Sequence, residues 1–152
     1  MRKIIIIVIL FITTKCFSQN IIESNTIISV NNDICKNLID VKIIDNKGLY
    51  ISTNYLPGKL IIDNDALKTS DKENDFICLE ITIPEFNNDK IFYKKYFINN
   101  IKFKLLFSDY FILKIFDLRD KKINKKYFPL NGKDFTFEFE SPIENLKRAY
   151  RN

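Results

Sequence analysis

The chain has 152 residues, of which 46% are hydrophobic and 28% charged, and a formal net charge of +5; it holds no histidine, no tryptophan and only three glycines. The lack of histidine excludes Ser-His and Cys-His nucleophile pairs and removes the commonest ligand of catalytic zinc, copper and iron. Three glycines are too few for a Gly-rich phosphate cradle.

Arg2 and Lys3 precede an unbroken apolar run from Ile4 to Ile12, which gives way to Cys16-Phe17-Ser18. A positive segment, a short apolar run and small residues three and one before Gln19 are the layout of a secretory signal peptide, residues 1–18, cleaved after Ser18. The run is too short to span a bilayer, which takes about 20 apolar residues. Lys15 argues against lipidation at Cys16, because such sites have a small neutral residue at that place. The expected address is therefore secreted or periplasmic, with no stable membrane insertion after cleavage. Residues 19–152 are the size of one domain. Arg2, Lys3 and Lys15 leave with the signal, which holds no acid, so the mature chain carries +2 and nucleic acid is not an expected partner.

The mature chain reads as a series of short strands. Ile27 to Val30 is the first, and Asn31 to Asp33 a loop. Ile39, Val41 and Ile43 alternate with Asp40 and Lys42, which makes Leu38 to Ile44 a strand. Asp45 to Gly48 turns the chain into Leu49 to Thr53, and Pro57-Gly58 turns it again into Lys59 to Ile62. Asp63 to Asp75 is a polar, acidic loop. Phe76 to Ile83 is a strand stopped by Pro84. Glu85 to Asp89 is a turn, Lys90 to Ile98 an aromatic strand, and Asn99-Asn100 a two-residue connection.

The most apolar stretch follows, Ile101 to Phe116. It reads as two strands about a turn at Ser108-Asp109. Tyr110, Ile112 and Phe116 make the second of these strands apolar on both faces, which predicts a central strand with something packed over each side. Asp117 to Asn124 is a charged loop. Lys125 to Phe128 and Asp134 to Glu140 form a last hairpin, whose second arm alternates as a half-buried edge strand. Ser141-Pro142-Ile143-Glu144 has the form of a capping box with proline at the first helical position and predicts a short helix to about Tyr150. Many short strands with almost no helical periodicity predict an all-β fold, an antiparallel β-sandwich of about seven to nine strands with a short C-terminal helix.

Few residues offer chemistry. Cys35 and Cys78 survive signal cleavage and in an oxidising compartment can close a disulfide; two separate buried thiols fit the sequence equally well. Asp63, Asp65, Asp71, Glu73 and Asp75 share one loop but lack the glycine of a regular calcium loop, and Lys68 and Lys72 oppose them, so the loop reads as solvated. Glu138 and Glu140 are neighbours on one strand face and read as solubilising charges. Lys94, Lys95, Lys102 and Lys104 read as the wet side of a sheet. Phe92, Tyr93, Tyr96 and Phe97 read as core. No cofactor is expected.

The segments ISV (Ile28 to Val30), LIDVKII (Leu38 to Ile44), YISTN (Tyr50 to Asn54) and GKLII (Gly58 to Ile62), followed by DFICLEI (Asp75 to Ile81) and NIKFKLL (Asn100 to Leu106), come in an order that resembles the carboxypeptidase regulatory-like domain, a transthyretin-like β-sandwich. The resemblance covers residues 28–107. Asn54 stands where the family has aspartate, and the small-residue turn before the second strand is missing. The resemblance implies a non-catalytic module with no catalytic residues to carry over, and it leaves 108–152 as extra strands and helix. The expected function is an exported, non-catalytic β-sandwich module with a binding or accessory role in the bacterial cell envelope, its partner a protein or polysaccharide there. The alternatives are a small outer-membrane β-barrel, against which the short strands and scarce glycine count, and a carboxylate-dependent hydrolase using Glu138 and Glu140.

Overall fold

Alternating apolar side chains draw the strands into two stacked sheets. The structure, a computed structural model, describes residues 21–36, 39–63, 75–87, 90–130, 132–148 and 150–151. The expected signal peptide and most of the acidic loop, including Asp65, Asp71 and Glu73, lie outside the described residues. The strands are β1 (Ile21–Ser24), β2 (Thr26–Val30), β3 (Asp33–Ile34), β4 (Asp40–Ile44), β5 (Tyr50–Leu56), β6 (Lys59–Asp63), β7 (Phe76–Asn87), β8 (Lys90–Lys102), β9 (Phe111–Asp117), β10 (Phe135–Glu140) and β11 (Asn145–Leu146). One sheet has the order β1-β6-β5-β4-β7-β8 and is antiparallel throughout. The other has the order β11-β10-β9-β2-β3, antiparallel except where β2 and β9 run parallel. The fold is an all-β sandwich.

The core lies between the sheets. Val41, Ile43, Leu60, Ile62, Leu79 and Ile81 meet Ile28, Phe111, Leu113, Ile115, Phe137 and Phe139, all buried. Each such side chain contributes about 1.5–3 kcal/mol relative to exposure. Tyr55 crosses the core, its hydroxyl accepting from the Ile28 backbone N–H at 3.0 Å. As its two apolar faces predict, β9 is central and covered on both sides. Phe116 points to the outer side, where Leu118, Ile123 and Tyr127 close over it, with the Tyr127 ring stacked on Phe116 at 4.0 Å. Ile123 is held there by a single helical turn, α1 (Lys121–Asn124), capped by Asp120, whose carboxylate accepts from the Lys122 N–H at 2.8 Å.

Several expected elements take another form. Ile101 to Phe107 does not form a strand of its own. β8 runs on through Asn99 and Asn100 to Lys102, and Phe103–Phe107 is a 3₁₀ turn that buries Phe103, Leu105 and Leu106. Asn100 sits at φ 61°, opposite a register shift between Ile77 and Leu79, so Ile98 and Ile101 both face the core and the period of two is broken. Pro84 does not stop β7. Pairing of β4 with β7 ends at Asp40–Thr82, so Pro84 borders an open edge, where its missing N–H costs no ladder bond.

The hairpin of 125–128 with 134–140 is not formed either: β10 pairs with β9 and β11, and Tyr127 bridges to Tyr150. β10 is thus no edge strand, and Thr136 and Glu138 on its outer face are buried. The expected C-terminal helix is absent among the described residues. Ser141 does cap, its hydroxyl accepting from the Glu144 N–H at 3.0 Å, but the turn leads into β11 because pairing with Phe139 and Glu140 packs Leu146 against the core. β1 and the parallel pairing of β2 with β9 were not expected.

Asn100 is a specific test of the bulge. Asn100→Val forces a β-branched residue into the left-handed region and is expected to cost about 1–2 kcal/mol in urea unfolding. Asn100→Gly is expected to stay within about 0.5 kcal/mol of the parent.

Candidate functional site

Past Thr82, β7 pairs among the described residues with β8 alone. Ile83 to Asn87 pair with Lys94 to Lys90, and this two-stranded arm extends beyond β4. Opposed residues of an antiparallel pair share a face. Pro84 with Tyr93, and Phe86 with Ile91, therefore mark one side of the arm; Glu85 with Phe92, and Ile83 with Lys94, mark the other. Phe86 is 72% exposed, Tyr93 66%, Ile91 53% and Phe92 52%, so the arm carries large uncovered apolar side chains on both faces.

The base of the arm is tied to the second sheet through a buried carboxylate. Asp117, at the end of β9, accepts from Arg119 through Nε and Nη2, both at 2.8 Å, from the Tyr96 hydroxyl at 3.1 Å and from the Arg119 backbone N–H at 3.0 Å. Lys94 Nζ stands 3.0 Å from the same carboxylate and also pairs with Glu85. Arg119 reaches Asp134 at 3.2 Å. Burial alone would raise the Asp117 carboxyl, but the hydrogen bonds from Arg119 and Lys94 outweigh it and hold the group well below the usual carboxylate range. Burial, followed by the charge of Asp117 and a hydrogen bond to it, pushes the Tyr96 phenol up. Every oxygen of this carboxylate is engaged, and neither Asp117 nor Tyr96 is poised to exchange a proton near neutrality. The arrangement holds the arm and the two sheets in one geometry.

A cleft of about 460 Å³ opens beside the base, lined by Ile83 to Glu85 of the arm, by Asn31 and the β3 residues Asp33 and Ile34, and by Cys35 and Ile39. Cys35 and Cys78 are both free thiols. Cys35 packs against the inner core, its N–H bonded to the Ile28 carbonyl at 2.9 Å, whereas Cys78 lies between core-facing Ile77 and Leu79 and so is directed to the other side of its sheet. Burial pushes the Cys35 thiol up to about 11 and raises Cys78 as well.

The residues singled out in the sequence scatter. Glu138 is buried rather than solvated, because β11 and the chain after it cover β10; its carboxylate accepts from the Arg148 N–H at 2.9 Å. Glu140 is half-buried on the same strand. Lys94 and Lys95 point to opposite faces, and the four lysines form no common basic face: Lys95 pairs with Glu80, Lys102 with Glu144 and Lys94 with Asp117. Of the aromatic stripe only Tyr96 is core, while Phe92, Tyr93 and Phe97 are exposed. Among the described residues no three His, Cys, Asp or Glu side chains stand together as a metal site. Sequence reasoning missed the arm because it ended the strand at Pro84, yet the alternation of Phe86 with Glu85 beyond the proline was a signal for continuation. It missed Asp117 because nothing local distinguishes a buried aspartate from a loop one. No protein-family model, curated protein or solved structure matches this chain.

Two measurements check this geometry. The Asp117 carboxyl titrates below its unfolded value when folded, so its stabilisation is complete above about pH 4 and is lost as the pH falls toward the lower folded value. Asp117→Asn is expected to lower stability by about 2 kcal/mol or more at pH 7, and the gap from the parent should narrow below about pH 4. Intact mass without reductant should show two thiols, and Cys35 should alkylate at least about tenfold slower at pH 8 in the native protein than in denaturant.

Proposed function

We propose that this chain is an exported, non-catalytic β-sandwich module that acts by binding a protein of the bacterial cell envelope, with the β7–β8 arm as its contact surface. The observation that carries this reading is the pair of apolar faces on the arm, Phe86, Ile91 and Tyr93 on one and Phe92 on the other, all more than half exposed. A two-stranded ribbon with no third strand is marginal by itself. Here Lys94, paired with Asp117 and Glu85, stiffens its base, so little ordering is left to be done on contact. Apolar side chains on both faces fit enclosure in a protein groove better than stacking on a polysaccharide, which uses one face. The regulatory-like resemblance of residues 28–107 agrees with this reading, because it too implies a non-catalytic module. The barrel alternative gains no support from two sheets with free edges, nor the hydrolase from a Glu138 held by the Arg148 N–H.

The test is binding of the purified mature chain to envelope proteins extracted from the source cell. A variant carrying Phe86→Ala, Ile91→Ala, Phe92→Ala and Tyr93→Ala is expected to lose at least about tenfold in affinity while keeping its melting temperature, since exposed aromatic anchors dominate such contacts. Undiminished binding by the variant would overturn the reading.

A further inference from the structure

Cations over much of the sandwich have carboxylate partners: Lys42 with Asp40, Lys59 with Glu23, Lys95 with Glu80, Lys102 with Glu144, and Lys94 and Arg119 with Asp117. Lys36, Lys90, Lys104 and Lys114 are in no ion pair among the described residues and lie on separate parts of the chain, whereas after Arg119 such cations cluster. Lys121, Lys122, Lys125, Lys126, Lys147 and Arg151 are exposed, and none of them is in an ion pair among the described residues. The fold gathers residues distant in sequence. The Arg151 N–H donates to the Lys126 carbonyl at 2.8 Å, Tyr127 bridges Tyr150, and their rings lie 5.0 Å apart. Ile123, between the two lysine pairs of KKINKK, turns inward to Phe116, which leaves the lysines outside. Two carboxylates of this region are occupied: Asp120 caps α1, and Glu138 is buried against the Arg148 N–H. Among the cations stand two large exposed rings, Phe128 at 55% and Tyr150 at 60%, with the Arg151 guanidinium 5.0 Å from the Phe128 centroid.

We propose that this patch docks the module peripherally on an anionic phospholipid surface. Uncompensated, mostly lysine cations act as point charges suited to a diffuse layer of phosphate headgroups rather than to bidentate recognition of one group. Exposed Phe and Tyr beside them match the headgroup boundary, where aromatic side chains place an apolar body and, for Tyr, a polar tip. No helix among the described residues is long and apolar enough to cross a membrane. The inference goes beyond the arm contact and does not depend on it.

Co-sedimentation of the mature chain with vesicles tests it. Vesicles of equal parts phosphatidylglycerol and phosphatidylcholine are expected to bind at least about tenfold more protein than pure phosphatidylcholine at about 0.05 M salt and to release it at about 0.5 M. Joint Lys121→Glu, Lys122→Glu, Lys125→Glu and Lys126→Glu should abolish binding. A charge-matched control, Lys36→Glu, Lys42→Glu, Lys90→Glu and Lys104→Glu, should keep most of it. If the first variant fails to fold, the four glutamine substitutions replace it, with an expected loss of about fivefold per neutralised cation. Equal binding to neutral vesicles, equal loss in the control, undiminished binding by the patch variant, or binding to soluble heparin without binding to vesicles would each overturn the proposal.

Discussion

A buried carboxylate with no partner would cost several kcal/mol, and Asp117 is buried at the end of the central strand of its sheet. That penalty dictates the surroundings. Arg119 must fold back from its own chain, and Lys94 and Tyr96 must arrive from the facing sheet. The two sheets are thereby tied at one end by polar contacts, while most of the remaining contact is apolar and has little directional preference, the Tyr55 hydroxyl on the Ile28 N–H being a further polar tie. The turn after β2 joins the same node: the Asn31 side chain accepts from the Asp117 N–H at 2.8 Å, and the Asn31 N–H donates to the Ile115 carbonyl at 2.8 Å. Because Lys94 also pairs with Glu85, the node extends into the arm, so a stability element and a contact surface share one residue.

The second constraint is β9 itself. Its inner face needs the six-stranded sheet, and its outer face needs the chain that follows it. Residues 118–127 supply that cover through Leu118, Ile123 and Tyr127, backed by Tyr150. A single helical turn that must present Ile123 inward has no choice but to present its lysines outward. The basic surface is thus a by-product of covering Phe116, and its concentration on one face follows from packing rather than from the run of lysines alone.

Much of the fold was legible from the sequence. Val41 and Ile43, Leu79 and Ile81, and Phe135, Phe137 and Phe139 alternate with polar residues and face the core, as do Leu60 and Ile62 on either side of Ile61. The two-sided apolar character of β9 correctly marked it as central. Less was legible where one local signal met a stronger distant one. Pro84 is a strand breaker only where its N–H would have a partner, and which edges are open is a property of the finished sheet. Ser141-Pro142 capped a turn as its pattern indicates, but the following residues gained more from pairing with β10 than from helical bonds.

The sequence by itself determined the class of the fold, the faces of the regularly alternating strands and the absence of histidine chemistry, because these depend on composition and on periodicity along a single strand. The tertiary structure alone decided the rest. It placed β2 parallel to β9, buried Asp117 and Glu138, directed Cys35 and Cys78 to different sides of a sheet, left the arm uncovered beyond Thr82, and brought Arg151 beside Lys126. Each of these is a relation between residues far apart in the chain, set by which strand lies next to which, and no local pattern encodes it.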